Sequence, residues 1–205
     1  MIDPIFRDSH HALLFAFNFS HQAYDRPLMN RLATKGSCAQ ANENLVGLNG
    51  AGQAGMIFSK LSKLTLLQQM IIFATYAPRK VQCHCTSSCC SGYKPNLMWN
   101  ECIYEISRIA ASQVLAGCVS HRVLRDGIVK RVFGDSVVLA DLAHKCDVSA
   151  NTATEHNQRI KRWLIGTNHK RTNREAADFG LIEIARDRAD VILTEAGMVK
   201  IKESA

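Results

Sequence analysis

The chain has 205 residues, 47% of them hydrophobic, with 25 Lys and Arg against 18 Asp and Glu and a formal net charge of +7. That length supports one large domain or two small ones with real cores, and that apolar content excludes wholesale disorder. The positive balance favours a polyanionic partner without choosing between nucleic acid and a membrane surface.

No stretch reads as a targeting peptide. The apolar run 12–19 is broken by Asn18, is too short to span a bilayer, and follows Asp3, Asp8, His10 and His11. The expectation is a cytoplasmic protein with no membrane partner. In that reducing compartment its eight cysteines are thiols or metal ligands before they are disulfides.

In chain order, apolar spacing predicts a helix over 9–23, with Leu13, Leu14, Phe17 and Phe19 as candidate core. Pro27 then punctuates the chain, and a short helical piece fits 28–33. Residues 34–55 are small, polar and Gly-rich, which predicts a loop. Gly50, Gly52 and Gly55 stand there as G-x-G-x-x-G. No strand precedes them and no acidic residue occurs over 56–79, so a turned loop is the better reading than a dinucleotide site.

Two helices follow, over 56–64 and 65–77. Thr65 and Gln68 have capping-box spacing, Leu66, Leu67, Met70, Ile71 and Phe73 are expected to be buried, and Pro78 ends the second helix. A Cys-rich loop occupies 83–90. Next come an amphipathic helix over 97–115, with a stripe of Trp99, Cys102, Ile103, Ile106, Ile109 and Ala110, and another over 119–133 closed by Gly134.

Residues 136–166, SVVLADLAHKCDVSANTATEHNQRIKRWLIG, carry the most information. Val138, Leu139, Leu142 and Ala143 recur at helical spacing, the chain breaks at Asp147 and Val148, and Ser149 is a good N-cap for a second helix. The second helix turns Ala153, Ile160 and Trp163 or Leu164 inward. Two helices, a tight turn with Val148 in its corner and small Ala143 at the crossing make a helix-turn-helix over 137–165. Asp147 stands where such turns usually have Gly, and His156 where an apolar residue is usual. In this geometry Ala150, Asn151 and Glu155 face base edges, while Ser149, Thr152 and Thr154 suit phosphates.

Behind it the chain is basic. Arg159, Lys161, Arg162, Lys170, Arg171 and Arg174 occur with no acidic residue between 159 and 174, as a phosphate-contacting stretch requires. A last helix over 175–196 carries Phe179, Ile182, Ala185, Ala189 and Ile192 on one face and ends at Gly197. Its mixed charge points to packing or dimerisation. The whole reads as an all-α fold with an N-terminal helical region over 1–95 and a DNA-binding region over 96–205.

Cys83, Cys85, Cys89 and Cys90 fall within CHCTSSCC. Four thiols so close suggest one structural zinc ion, with His84 or the pair Cys118 and His121 as alternative ligands and unliganded buried thiols as the other reading. Neighbouring Cys89 and Cys90 point in different directions, so both binding one ion strains the backbone. Cys38, Cys102 and Cys146 read as packing residues. No nucleophile–base signature and no deaminase pattern is present, so the expectation is a protein without enzymatic activity.

GLNGAGQAGMI (47–57), APRKVQCHCTSSCCSGYKPNLMW (77–99) and GCVSHRVLRDGIVKRVFG (117–134), followed by the helix-turn-helix, resemble phage late-gene antitermination proteins of the Q type and related prophage antiterminators. The resemblance implies a protein that binds a DNA element near a late promoter and loads onto paused RNA polymerase with its sigma factor attached. Travelling with the polymerase, such a protein narrows the RNA exit channel so that terminator hairpins cannot form. It carries the DNA-contact role onto Ser149, Ala150, Asn151, Thr152, Thr154 and Glu155. The Gly-rich, Lys-bearing stretch 34–63 is the expected contributor to the exit-channel role. Some such proteins hold zinc at two separated C-x-x-C pairs and others hold none; here C-x-C and adjacent cysteines stand instead. Pairing with a second copy on DNA is a further expectation; an operator-bound repressor or activator, a phage terminase small subunit and a nucleic-acid enzyme are the alternative readings.

Overall fold

The computed structural model describes residues 5–22, 48–83, 85, 88, 90–167 and 179–200. The expected helical piece at 28–33, the first part of the Gly-rich stretch, Cys38, His84, Cys89, Lys170, Arg171, Arg174 and the start of the last helix lie outside them. Among the described residues the fold is mostly helical, with eight helices and one two-stranded antiparallel hairpin. Two compact units are present. One comprises Met1–Leu64, Tyr76–Asn96 and Arg188–Ala205; the other comprises Thr65–Thr75 and Leu97–Asp187.

In the first unit, helix α1 (Ser9–Gln22) is opened by Asp8, whose carboxylate accepts from the His11 amide at 2.8 Å. Helix α2 (Leu48–Leu61) packs on α1. Ala12, Leu13, Ala16 and Phe17 on α1 are buried, as are Ala54, Ile57 and Leu61 on α2. Phe17 meets Phe58 edge-on at 5.1 Å.

Helix α2 corrects the 48–55 part of the loop expected over 34–55, since Gly50, Gly52 and Gly55 are helical. Each glycine costs a helix about 1 kcal/mol relative to alanine. The stripe Ala54, Ile57 and Leu61 outweighs that cost by burial on α1. A Cβ added at Gly52 or Gly55 meets nothing within 4 Å, so neither glycine is required for packing. With no strand before them, the phosphate-loop geometry is also absent among the described residues.

Strands β1 (Lys80–Gln82) and β2 (Tyr93–Pro95) pair in the register Lys80 to Pro95, Val81 to Lys94 and Gln82 to Tyr93. The Cys83 amide continues the ladder, donating to the Gly92 carbonyl at 2.8 Å. Buried Asn96 closes the base of the hairpin, its Nδ2 donating to the Pro78 carbonyl at 2.8 Å.

In the second unit the expected capping box opens α3 (Leu66–Tyr76). The Thr65 amide donates to Gln68 Oε1 at 3.1 Å and the Gln68 amide to Thr65 Oγ1 at 3.3 Å. Leu66, expected in the core, is exposed, because the first residue of a helix overhangs the face that the later turns bury. Helix α4 (Leu97–Gln113) buries Trp99, Ile103, Ile106, Ser107 and Ala110, and Trp99 Nε1 donates to the Ala74 carbonyl at 3.0 Å. Cys102 and Ile109 are only half-buried.

Helices α5 (Arg122–Val132), α6 (Leu139–Lys145) and α7 (Ala150–Ile165) pack against one another. Helix α5 begins at Arg122 rather than near residue 119, after an extended His121. Gly127 of α5 lets α6 approach; a Cβ there would overlap the Leu142 methyls. Ala143 is buried at this contact and Val148 half-buried in the corner. Beyond α7, Gly166 pairs with Phe179, and Gly180 lies so close to the backbone of Ile165 and Gly166 that any side chain would collide with it. Helix α8 (Leu181–Glu195) buries Ala185, Ala189, Ile192 and Leu193. Phe179, expected on that face, precedes the helix and is more than a third exposed.

The α6–α7 connection turns at Asp147 with φ 51°, the left-handed region. The Val148 amide donates to the Ala143 carbonyl at 3.0 Å and the Asp147 amide to that of His144 at 3.2 Å. This is a glycine-type helix end built on aspartate. Replacing Asp147→Gly removes the Cβ penalty, and we expect a gain of about 1 kcal/mol in denaturant unfolding. Asp147→Val should lose at least as much.

Candidate nucleic-acid interface and thiol cluster

Helix α7 is two-faced. Ala153, His156, Ile160 and Leu164 recur at i, i+3, i+7 and i+11 and are buried, which fixes the helix against α5 and α6. The opposite face then carries exposed Asn151, Thr154, Glu155, Arg159, Lys161 and Arg162, with exposed Ser149 and Ala150 at its start and Thr152 half-buried. Of the expected interface residues, those from Ser149 to Arg162 are on this helix or its cap; Lys170, Arg171 and Arg174 lie outside the described residues.

Several of these groups are already engaged. Ser149 Oγ accepts from the Thr152 amide at 3.1 Å and shares a hydrogen bond with Thr152 Oγ1 at 2.8 Å. Thr154 Oγ1 donates to the Ala150 carbonyl at 2.8 Å. A phosphate at Thr154 has to compete with that carbonyl for the hydroxyl proton. Glu155 accepts from Arg159 one turn on, so a cytosine amine has to compete with that guanidinium for the carboxylate. Asn151, Lys161 and Arg162 stand exposed beside this pair.

The buried stripe of α7 includes one polar side chain. His156 is 3% exposed and its Nδ1 has no hydrogen-bond partner. On α5, buried Arg125 Nε and Asp126 Oδ1 also lack one. Arg125 Nη1 donates instead to the carbonyl and hydroxyl of Ser120 at 2.8 and 2.7 Å. Burial pushes the His156 pKa down; Glu155 opposes this, while Arg159 and Arg125 add to it. Sequence marks His156 as unusual at an apolar position, but the role of Arg125 carries no sequence signal beyond its charge.

The thiols of Cys83, Cys85 and Cys90 lie within 4.8 Å of one another at the loop end of the hairpin. Register explains this: Cys83 follows the last residue of β1, and the chain returns from Cys90 through Gly92 at φ 77°. All three are thiols, not disulfides. The backbone hydrogen bond at Cys85 lowers the pKa of Cys83, but the neighbouring Cys85 and Cys90 thiols raise it and the net shift is upward. Three sulfur donors so placed can hold a metal ion, and its charge would relieve their mutual repulsion.

The alternative pair is Cys118 and His121. Both precede α5 instead of sharing a helical turn, and among the described residues no metal-ligand group includes them. Cys118 instead meets Arg159 Nη1 at 3.5 Å. No described helix is long and apolar enough to cross a membrane. No family model, curated protein or solved structure matches the chain.

Two outcomes follow from this geometry. Cobalt(II) titration should give thiolate-to-metal charge-transfer absorption saturating at one equivalent, abolished in Cys85→Ser; spectra without such absorption would exclude the site. For His156, the folded pKa lies below the unfolded value of about 6.5. Its contribution to stability is complete above that value and is lost as pH falls from there toward the lowered folded pKa. The difference in denaturation midpoint between His156→Leu and the native chain should therefore widen in favour of the variant from about pH 7 to about pH 5. A constant difference would count against burial of the neutral imidazole.

Proposed function

We propose that this chain is a double-stranded DNA-binding transcription antitermination factor without enzymatic activity. The observation that carries the DNA-binding part is the division of α7, whose buried stripe fixes the helix while Asn151, Glu155, Arg159, Lys161 and Arg162 are exposed. With α6 and the four-residue connection 146–149 it is read as a helix-turn-helix whose second helix enters the major groove. Asn151 supplies a bidentate partner for adenine, and Lys161 and Arg162 supply phosphate contacts. Net charge of +7 supports the same partner.

The step from DNA binding to antitermination rests on the resemblance of the blocks 47–57, 77–99 and 117–134 to the Q type. In this reading the DNA-bound protein transfers to RNA polymerase paused with its sigma factor. The exposed side of α2, with Met56, Phe58 and Ser59, is the described part of the stretch assigned to the exit channel. Cys83, Cys85 and Cys90 hold one structural zinc ion, which fastens the two ends of the hairpin loop. The protein acts in the bacterial cytoplasm, where such thiols stay reduced.

Transcription with purified RNA polymerase from a template carrying a promoter and a downstream terminator tests the reading. Added protein should raise the fraction of transcripts passing the terminator at an unchanged rate of initiation. A change in initiation alone would replace this reading with an operator-bound repressor or activator, and large rings in solution would favour a terminase small subunit. Asn151→Ala should cost about 1–3 kcal/mol in specific DNA binding and lower readthrough in parallel.

A further inference from the structure

The register of the hairpin gives it an outward face. Antiparallel partners project to the same side of a ladder, and successive residues to opposite sides. Lys80, Gln82, Tyr93 and Pro95 therefore share one face, and Val81 and Lys94 the other. Val81 is half-buried and the other five are exposed, so the Val81 side is the one turned toward the protein. The opposite face is open along both strands, with Tyr93 at 63% exposure. Among the described residues nothing hydrogen-bonds or ion-pairs with the side chains of Lys80, Gln82, Tyr93 or Lys94.

That face is held at both ends. At its base the Asn96 amide donates to the Arg79 carbonyl at 2.9 Å, and the Asn96 side chain to that of Pro78. At the other end the Cys83 amide closes on Gly92 beside the three thiols, next to the rung of Gln82 and Tyr93. Residues 44–100 contain five Lys or Arg and no Asp or Glu. A polyanion approaching the hairpin therefore meets no carboxylate from this stretch of chain.

We propose that the outward face of the hairpin binds single-stranded nucleic acid, with a base stacked on Tyr93 and phosphates met by Lys80 and Lys94. Lys80 stands diagonal to Tyr93 on the same face, about 7–8 Å away, a gap that a lysine stem spans. Lys94 projects from the other face and reaches a phosphate round the free edge of β2. Gln82, opposite Tyr93, offers its amide to a base edge. A tyrosine ring selects an unpaired strand, because bases in a duplex are already stacked on one another. Every base has a ring face, so the site tolerates any sequence. The hairpin belongs to the first compact unit and α7 to the second, and the proposal does not rest on the reading of α7.

The test measures fluorescence anisotropy of a labelled strand of about 12 nucleotides without self-complementarity, offered to the full chain as RNA, as DNA and as a DNA duplex. The native chain should bind the single strands. Tyr93→Ala should weaken that binding on the order of tenfold with its salt dependence unchanged, and Tyr93→Phe, which keeps the ring, should leave it intact. Lys80→Ala should instead flatten the salt dependence by about 0.7 units of slope. Binding of RNA and DNA alike would identify the base as the ligand, and binding of RNA alone would add the ribose hydroxyl. Single strands that do not bind, or that bind Tyr93→Ala as tightly as the native chain, would overturn the proposal. Loss in Tyr93→Ala together with a flattened salt dependence would also overturn it, since the hairpin itself would then have collapsed. Equal loss for the duplex would make the hairpin a duplex contact instead. Asn151→Ala on specific duplex judges α7 separately, so either reading can fail without the other.

Discussion

The packing of α7 on α5 and α6 is the constraint on which the rest of the second unit depends. Helix α6 has seven residues and a single fully buried one, Ala143, far too little to stand by itself. It is held because Gly127 admits Leu142 and because Ala143 is small at the crossing. Ile160 and Leu164, both fully buried, contribute about 1.5–3 kcal/mol each by leaving water. That gain offsets a left-handed aspartate and a buried imidazole lacking a partner at Nδ1. It also decides orientation: once Ala153, His156, Ile160 and Leu164 point inward, the side chains between them have to face water.

The helices with strong apolar periods and recognisable ends were legible in the sequence. Helices α1, α4 and α7 lie within a residue or two of their expected spans, and Ser149, Thr65 with Gln68, and Gly134 act as the end signals they resemble. Composition misled where it competed with packing. The glycines of α2 suggested a loop, yet the stripe through Ala54, Ile57 and Leu61 needed only a partner surface to become helix. Strands of three residues are too short for a period of two to register, so the hairpin was invisible. Periodicity gives a direction and not a depth, which is why Leu66 and Phe179 were placed inside and lie outside.

The thiol cluster shows the same division. Spacing indicated that cysteines near residue 85 would meet, but not which ones. The answer came from the strand register, which brings Cys83 at the end of β1 toward Cys90 before Gly92. Cys118 and His121 have the spacing of a helical ligand pair, yet α5 starts after them and they do not share a helical turn. Spacing becomes ligand geometry only when the secondary structure beneath it is known. A metal at the cluster would act as a covalent-like staple across a loop whose strands are each too short to persist unaided.

Departures from ordinary local rules are concentrated around α7. Asp147 takes a backbone conformation that glycine fills at less cost, and His156, Arg125 and Asp126 bury polar atoms without partners. Elsewhere among the described residues, turns with positive φ are built on glycine, and of the remaining side chains Ser107 alone buries an unpartnered oxygen or nitrogen. Sequences keep such local costs where a surface is selected for something other than stability.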